Sequence, residues 1–181
     1  NVAASGASPV NGSVTILVAG DIASCSSDGD EATAAILDRL DGMVITLGDN
    51  AYNSGTAKEF ARCYDPTWGR HKHRTRPAVG NHEYRTEDAS GYFDYFGDAA
   101  GDPANGYYSF DLGSWHLIAI NSNCSKIGGC GPGSPQLEWL KRDLAEHPAA
   151  CTLAYWHHAR FSSSSEHGSD DRTQAIWGIL Y

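Results

Sequence analysis

The sequence lacks any apolar run long enough to cross a membrane and has few basic residues. A membrane helix needs about 20 consecutive apolar residues, whereas the longest candidate here, residues 115–120, has the length of a strand. The 13 Lys and Arg residues stand against 22 Asp and Glu, which gives a net charge of -9. A groove that binds nucleic acid usually carries the opposite charge, so we expect no nucleic-acid partner and no membrane span.

Cysteines are also scarce, and none of the five belongs to a CxxC motif. This number is too low for a scaffold held together mainly by disulfides. Cys124 and Cys130 bracket a glycine-rich loop and can close it, while Cys25 and Cys63 can pair if the loops that carry them meet. Cys151 opens an apolar strand, where we expect a buried free thiol.

The first residues of the chain, 1–13, have neither the charged nor the apolar region of a signal peptide. We expect them to form a flexible segment, left after removal of a signal peptide from a secreted or extracytoplasmic protein. The remaining residues, 14–181, show no internal repeat and no linker, which predicts one domain with a sizeable core. The oligomeric state is left open.

Apolar strands alternate with amphipathic helices in the first half of the chain, and a hairpin follows in the second half. This order favours an α/β layered fold with a mixed sheet. Apolar residues at Ala32, Ile36 and Leu40 predict one face of the first helix. The predicted strands cover residues 14–19, 43–47, 77–79, 107–112, 115–120 and 151–156, and the predicted helices cover residues 30–40, 56–63, a segment that begins after Ser134, and 171–181.

Four of these strands end in short polar clusters. The carboxyl ends of strands in an α/β sheet form the ligand crevice, so we expect the clusters to converge although they are far apart in sequence. Glycine comes before three of them and allows the backbone to turn sharply. The clusters are Gly20-Asp21, Gly48 to Tyr52, Gly80 to Glu83, and His157-His158.

The residue types in these clusters suit metal ions, because Asp and Asn supply oxygen ligands and His supplies nitrogen. A carboxylate can bridge two cations. Two cations about 3.5–4 Å apart can stabilise both the attacking and the leaving oxygen of an in-line displacement. They can also lower the pKa of bound water, so that a hydroxide forms near neutral pH. The combination predicts a two-metal hydrolytic site. We assign no role in it to the remaining histidines, His71, His73, His116, His147 and His167.

The clusters resemble the calcineurin-like metallophosphoesterase superfamily, and within it the purple acid phosphatase type. The pattern of that family is a strand-end Asp, then GDxxY, GNH[DE], a His after an apolar strand, and a closing GHxH. The first four motifs occur here between about residues 14 and 158. The resemblance implies an α/β/β/α sandwich with mixed β-sheets, which hydrolyses small-molecule phosphate monoesters.

The resemblance also implies a ligand set, position by position. Asp21 and Tyr52 would bind the first metal, Asn81 and His157 the second, and Asp49 would bridge both. A tyrosine ligand implies Fe(III) at the first position, together with a divalent zinc, iron or manganese ion at the second.

Catalytic roles follow from the same resemblance. Asp49 and His82 would be the catalytic residues: a metal-bound hydroxide is the nucleophile, and His82 contacts the phosphate and acts as the general acid. Asn81 and His158 would be further substrate contacts.

The closing GHxH motif is absent from the sequence. The resemblance places it after residues 171–181, so we expect a domain that lacks its C-terminal part and has more open, weaker metal sites. The alternatives are a phosphodiesterase of the same superfamily, a degenerate or truncated non-catalytic module that binds phosphate or metal, and another dinuclear hydrolase such as an amidohydrolase.

Two further features leave alternatives open. The basic run at residues 70–76 is either a solvated loop or a patch that steers an anionic substrate. The aromatic residues between positions 92 and 96 either line a substrate pocket or pack in the core.

Overall fold

The computed structural model describes residues 13–181, so the flexible segment predicted for residues 1–13 lies outside it except for Ser13. No helix in this part of the chain is long and apolar enough to cross a membrane. The strands are β1 (Ile16–Ala19), β2 (Ala23–Ser24), β3 (Met43–Leu47), β4 (Ala51–Tyr52), β5 (Thr75–Ala78), β6 (Tyr108–Leu112), β7 (Trp115–Ala119) and β8 (Cys151–Tyr155). The α-helices are α1 (Gly29–Leu37), α2 (Ala57–Glu59), α3 (Ser90–Phe96), α4 (Pro135–Glu146) and α5 (Gln174–Leu180).

Shorter helical segments connect these elements. A π-helical turn extends α2, and the other segments are 3-10 helices. The π-helical turn is Phe60–Tyr64, and the 3-10 helices are Trp68–Arg74, Glu83–Arg85, Glu87–Ala89, Gly97–Ala100, Cys124–Lys126 and Asp171–Thr173.

The strands form one parallel sheet, one mixed sheet and one small pair. The parallel sheet has the order β1-β3-β5. In the mixed sheet, β6 and β7 form the predicted antiparallel hairpin, and β8 adds to β7 in parallel. The short strands β2 and β4 pair in parallel beside the ends of β1 and β3. The predicted α/β class with mixed sheets is confirmed.

Alternate residues of the central strands face different cores, as the two-residue period of a strand requires. On β3, Val44 packs with the helices α1 and α3, while Ile45 packs against the mixed sheet. On β7, Leu117 faces the parallel sheet, while Ile118 packs with α4 and α5. Helices therefore cover the outer faces of two sheets that pack together, which is the predicted α/β/β/α layering.

The face predicted for the first helix was wrong. Ile36 and Leu40 are exposed, and the buried residues of α1 are Asp30, Ala34 and Leu37, spaced at i, i+4 and i+7. The carboxylate of Asp30 accepts a hydrogen bond of 3.0 Å from a threonine hydroxyl after the π-helical turn. Asp30 therefore shares the buried face of α1 with the apolar residues Ala34 and Leu37. A polar residue on that face conceals it from a count of apolar positions.

Both disulfides that the sequence left possible form, Cys25–Cys63 and Cys124–Cys130. The prediction for Cys151 was wrong, because this free cysteine is exposed. β8 begins at the surface and is fully buried only at its carboxyl end, at Tyr155.

The basic run at residues 70–76 belongs mostly to the 3-10 helix Trp68–Arg74 and holds α1 in place. Arg70 forms ion pairs of 2.9 Å with Glu31 and Asp38. Arg74 donates to the carbonyl oxygen of Leu37 at 2.8 Å. Arg70 thus joins carboxylates near both ends of α1, and Arg74 binds its last turn. Of the two interpretations left open, the solvated loop does not hold for these two residues, and a steering role stays a prediction.

The aromatic residues of α3 pack in the core. Tyr92, Phe93 and Phe96 are buried and meet edge to face. The packing interpretation is therefore confirmed for these three residues, because their rings face one another and the neighbouring aromatic residues.

Candidate metal centre

Two glycines allow the strand-end loops to approach closely. Gly48 has a φ of 89°, and a Cβ atom there would lie 2.7 Å from Cα of Gly80 and 2.9 Å from Cβ of His157. Any side chain at this position would therefore push the loops after β3, β5 and β8 apart. The predicted convergence of these three strand ends is confirmed.

Asp49 is the residue on which the loops converge. Its side chain is 3 % exposed, and its Oδ1 accepts a hydrogen bond of 2.9 Å from the backbone N–H of His82. Three groups from three loops face its Oδ2: the Tyr52 hydroxyl at 3.2 Å, Nε2 of His157 at 3.5 Å and Nε2 of His82 at 3.7 Å. One carboxylate thus connects the loops after β3, β5 and β8.

Asp21 joins the same cluster through Tyr52. The Tyr52 hydroxyl donates a hydrogen bond to the Asp21 carboxylate as well as to Asp49. Burial, this hydrogen bond and the nearby negative charges raise the pKa of the Tyr52 phenol well above its ordinary value. Two carboxylates and a phenol side by side form a set of hard oxygen donors, and a cation among them would supply the missing positive charge.

The donor set on the other side of Asp49 also fits a cation. Nδ1 of His157 lies 2.8 Å from the carbonyl oxygen of Leu47, which can only accept, so Nδ1 carries the proton. Nε2 of a neutral ring then presents a lone pair toward Oδ1 of Asn81 at 2.9 Å and toward Asp49. Nε2 of His157, Oδ1 of Asn81 and the Asp49 carboxylate are three acceptors that face one another, and a cation between them would satisfy all three. A histidine that binds a metal is commonly oriented by a backbone carbonyl on its other nitrogen, as His157 is here by Leu47.

His82 has its ring anchored on both nitrogens. Nδ1 lies 2.7 Å from the carbonyl oxygen of Asn53, and the guanidinium of Arg85 donates to Nε2 at 3.0 Å. The Tyr52 ring packs edge to face against the imidazole, with 4.7 Å between the centroids. The imidazole is thereby fixed beside Asp49, with Nε2 on the side of the cluster.

Glu83 holds the loop after β3 and the loop after β5 together. The sequence did not predict this role. Its fully buried carboxylate accepts backbone N–H bonds from Gly80 and Asn50 at 2.7 Å and from Asp49 at 3.0 Å. Burial and the charge of Asp49 raise the pKa of Glu83 to about 7, against the effect of these hydrogen bonds. Its position at the end of the cluster Gly80 to Glu83 indicates a role at the site. The residue type does not reveal which role, because a carboxylate in such a cluster can equally be a metal ligand.

His158 is directed to a different set of partners. Its Nδ1 lies 2.7 Å from the hydroxyl of Ser122, and Arg172 donates to its Nε2 at 3.2 Å. Burial and the charges of Arg172 and His157 lower the pKa of His158 to about 4. Its polar contacts therefore lie outside the Asp49 cluster, although its ring packs against the ring of His157.

The predicted site residues Asp21, Asp49, Tyr52, Asn81, His82 and His157 thus lie together at one edge of the sheets. Residues 14–177, nearly all of the part that the structure describes, match the family described as calcineurin-like phosphoesterase. A search of curated proteins found no match.

Proposed function

Because the chain belongs to the calcineurin-like phosphoesterase family, a family of metal-dependent phosphoester hydrolases, we propose that its Asp49 cluster binds two metal ions and hydrolyses phosphate monoesters. The observation that carries this proposal is the convergence of groups from three loops on one oxygen atom of Asp49. A carboxylate in that position is suited to bridge two cations.

The proposed ligands divide into two groups around Asp49. Asp21 and Tyr52 hold the first ion, and Asn81 and His157 hold the second. The contacts of the Tyr52 phenol with both aspartates support the purple acid phosphatase type, with Fe(III) at the first position and zinc, iron or manganese at the second. Phenolate and carboxylate oxygens are hard donors, which favour such an ion.

The metal ions would neutralise charge on the phosphate and activate water for attack. His82 is the proposed general acid. Asn53 engages Nδ1, so Nε2 is the nitrogen that would protonate the leaving oxygen, and it would take up that proton when Arg85 turns from the ring to the phosphate. Arg85, which donates to Nε2 of His82, places a positive charge where a phosphate anion would meet this histidine. Asn81 and His158 are proposed as additional substrate contacts, although His158 would first have to release Ser122 or Arg172, which hold its two ring nitrogens.

Two disulfides support the proposal that the protein works outside the cytoplasm. Disulfides persist in oxidising compartments and are rare in cytosolic proteins.

The test is hydrolysis of p-nitrophenyl phosphate by the metal-loaded protein and its variants. Asp49→Ala removes the bridging carboxylate and is expected to abolish turnover. His82→Ala keeps the proposed ligands and is expected to lower kcat about 10²–10⁴-fold without loss of metal. His73→Ala, which removes an exposed histidine from the 3-10 helix Trp68–Arg74, is the control and should match the wild type.

Full hydrolysis by Asp49→Ala would contradict the proposed mechanism. A parallel assay with bis(p-nitrophenyl) phosphate tests the substrate class. Faster turnover of this diester than of the monoester would favour the phosphodiesterase alternative.

A further inference from the structure

A second cluster of metal-ligand residues lies at the opposite end of the mixed sheet. His116 and Asp111 come from the hairpin β6–β7, Asp143 from α4, and His147 from the end of α4. One ligand atom from each of His116, Asp143 and His147 can be chosen so that all three lie within 4.8 Å of one another. His116 stands at the amino end of β7, whereas the Asp49 cluster is at the carboxyl ends of the strands, so the two clusters are separate.

We propose that His116, Asp143 and His147 bind a divalent zinc ion that ties the β6–β7 hairpin to the end of α4. Two histidine nitrogens and one carboxylate oxygen are ligands that zinc prefers. A tetrahedral site with bonds of about 2.0–2.1 Å keeps its ligand atoms about 3.3 Å apart. Here Nε2 of His116 lies 2.8 Å from Oδ2 of Asp143. Nδ1 of His147 lies 3.4 Å from Oδ1 of Asp143, but also 3.0 Å from the backbone carbonyl oxygen of Asp143, so zinc binding requires the His147 ring to leave that carbonyl or to turn its Nε2 toward the ion.

Asp111 and Ser109 orient two of the ligands. Nδ1 of His116 lies 2.7 Å from Oδ1 of Asp111, which directs Nε2 toward Asp143. A carboxylate on the far nitrogen of a histidine is the common support for a zinc ligand. The hydroxyl of Ser109 donates to Oδ1 of Asp143 at 2.6 Å, so the buried carboxylate is also fixed from outside the ligand set.

The charge balance of the cluster favours a cation. His116 is 1 % exposed and lies between two carboxylates. A divalent ion at this point would meet the buried carboxylate of Asp143 directly and would have the carboxylate of Asp111 behind the imidazole of His116. The position at the carboxyl end of α4 adds the favourable interaction of a cation with the helix dipole.

Solvent reaches the cluster from the side of His147. The side chain of His147 is 47 % exposed, and it lines a cavity of about 330 Å³ together with Asp111, Trp115 and Pro148. This opening gives zinc a route to the site and leaves room for a water molecule at the fourth position. The imidazole of His147 stacks on that of His116 with 5.0 Å between the centroids. The two rings are therefore neighbours, and the half-exposed His147 ring has to rotate about its side-chain bonds to direct a nitrogen at the same ion.

The test is equilibrium dialysis against zinc, with elemental analysis of the bound metal, for the wild-type protein, His147→Ala and the control His73→Ala. His147→Ala is expected to bind one zinc equivalent fewer than the wild type and to lose part of the rise in Tm that zinc produces. His73→Ala should show the wild-type values. Because His147 lies far from the Asp49 cluster, hydrolysis of p-nitrophenyl phosphate should be unchanged, which also shows that the variant is folded.

A second variant separates a zinc site from a purely ionic network. Asp111→Asn keeps all three ligands and is expected to weaken zinc binding at this position about 10–100-fold. Equal zinc content and an equal zinc-dependent rise in Tm in wild type and His147→Ala would overturn the proposal. That result would mean that the cluster is an ion-pair network only.

Discussion

Substitution of Gly80 by alanine tests the close approach of the strand-end loops. A Cβ atom at position 80 would lie well within 3.0 Å of the backbone N and of Oδ1 of Asp49, nearer than real Cβ atoms come. The backbone nitrogen cannot rotate away, so Asp49 has to move with its loop. That movement also loosens the bond of 2.7 Å between the Gly80 N–H and Glu83.

The expected cost is about 3 kcal/mol of unfolding free energy. Overpacking costs about 1–3 kcal/mol. Complete loss of the hydrogen bond from Gly80 to the Glu83 carboxylate would add about 1.5–3 kcal/mol, and a partial loss adds less. A loss of about 3 kcal/mol corresponds to a fall in Tm of about 10 °C in a chain of this size. Displacement of Asp49 should also lower the amount of metal bound.

The matched control is Gly178→Ala. Gly178 lies in α5, and a Cβ atom there would meet nothing within 4 Å. Alanine should therefore leave stability unchanged or raise it by about 0.5–1 kcal/mol. Thermal unfolding measures both variants, and equal Tm values with equal metal content would refute the argument from close approach.

Three other predictions concern Tyr52, Glu83 and the disulfides. Tyr52→Phe removes the proposed phenolate ligand, so a visible absorption band of the iron-loaded protein should disappear; a colourless active zinc protein would contradict the iron assignment. The pKa of Glu83 is raised from 4.5 to about 7, so the metal-free protein should lose about 3 kcal/mol of stability as pH rises from about 4.5 to about 7, measured by urea unfolding. A flat pH profile would contradict this. Serine replacement of Cys25 and Cys63 should cost about 4 kcal/mol and that of Cys124 and Cys130 about 2 kcal/mol, because the loops span 38 and 6 residues; the reverse order in thermal unfolding would contradict the loop-length argument.

The strand ends and their convergence could be predicted from the sequence because each is marked locally. An apolar run followed by glycine and a polar residue identifies the carboxyl end of a strand, and the topology of an α/β sheet brings such ends together. The same pattern predicts that Asp49, Asn81 and His157 lie in one site, although they come from different parts of the chain. The metals they bind and the reaction they perform stay predictions.

Contacts that depend on tertiary packing could not be predicted in the same way. Glu83 accepts hydrogen bonds from two loops, but its residue type is equally typical of a metal ligand. The inward face of α1 includes the buried Asp30, which a search for apolar periodicity passes over. The partners of His116 come from β6 and α4, and no local pattern joins those segments.

The most direct test of the central claim compares the metal content of the wild-type protein and of Asp49→Ala after identical loading with iron and zinc. Since Asp49 is the proposed bridge between both ions, the variant should bind two equivalents fewer than the wild type. His116, Asp143 and His147 are unchanged in the variant, so the difference reports on the Asp49 cluster alone. Equal metal content in the two proteins would contradict the account of a two-metal phosphoesterase site at the strand ends.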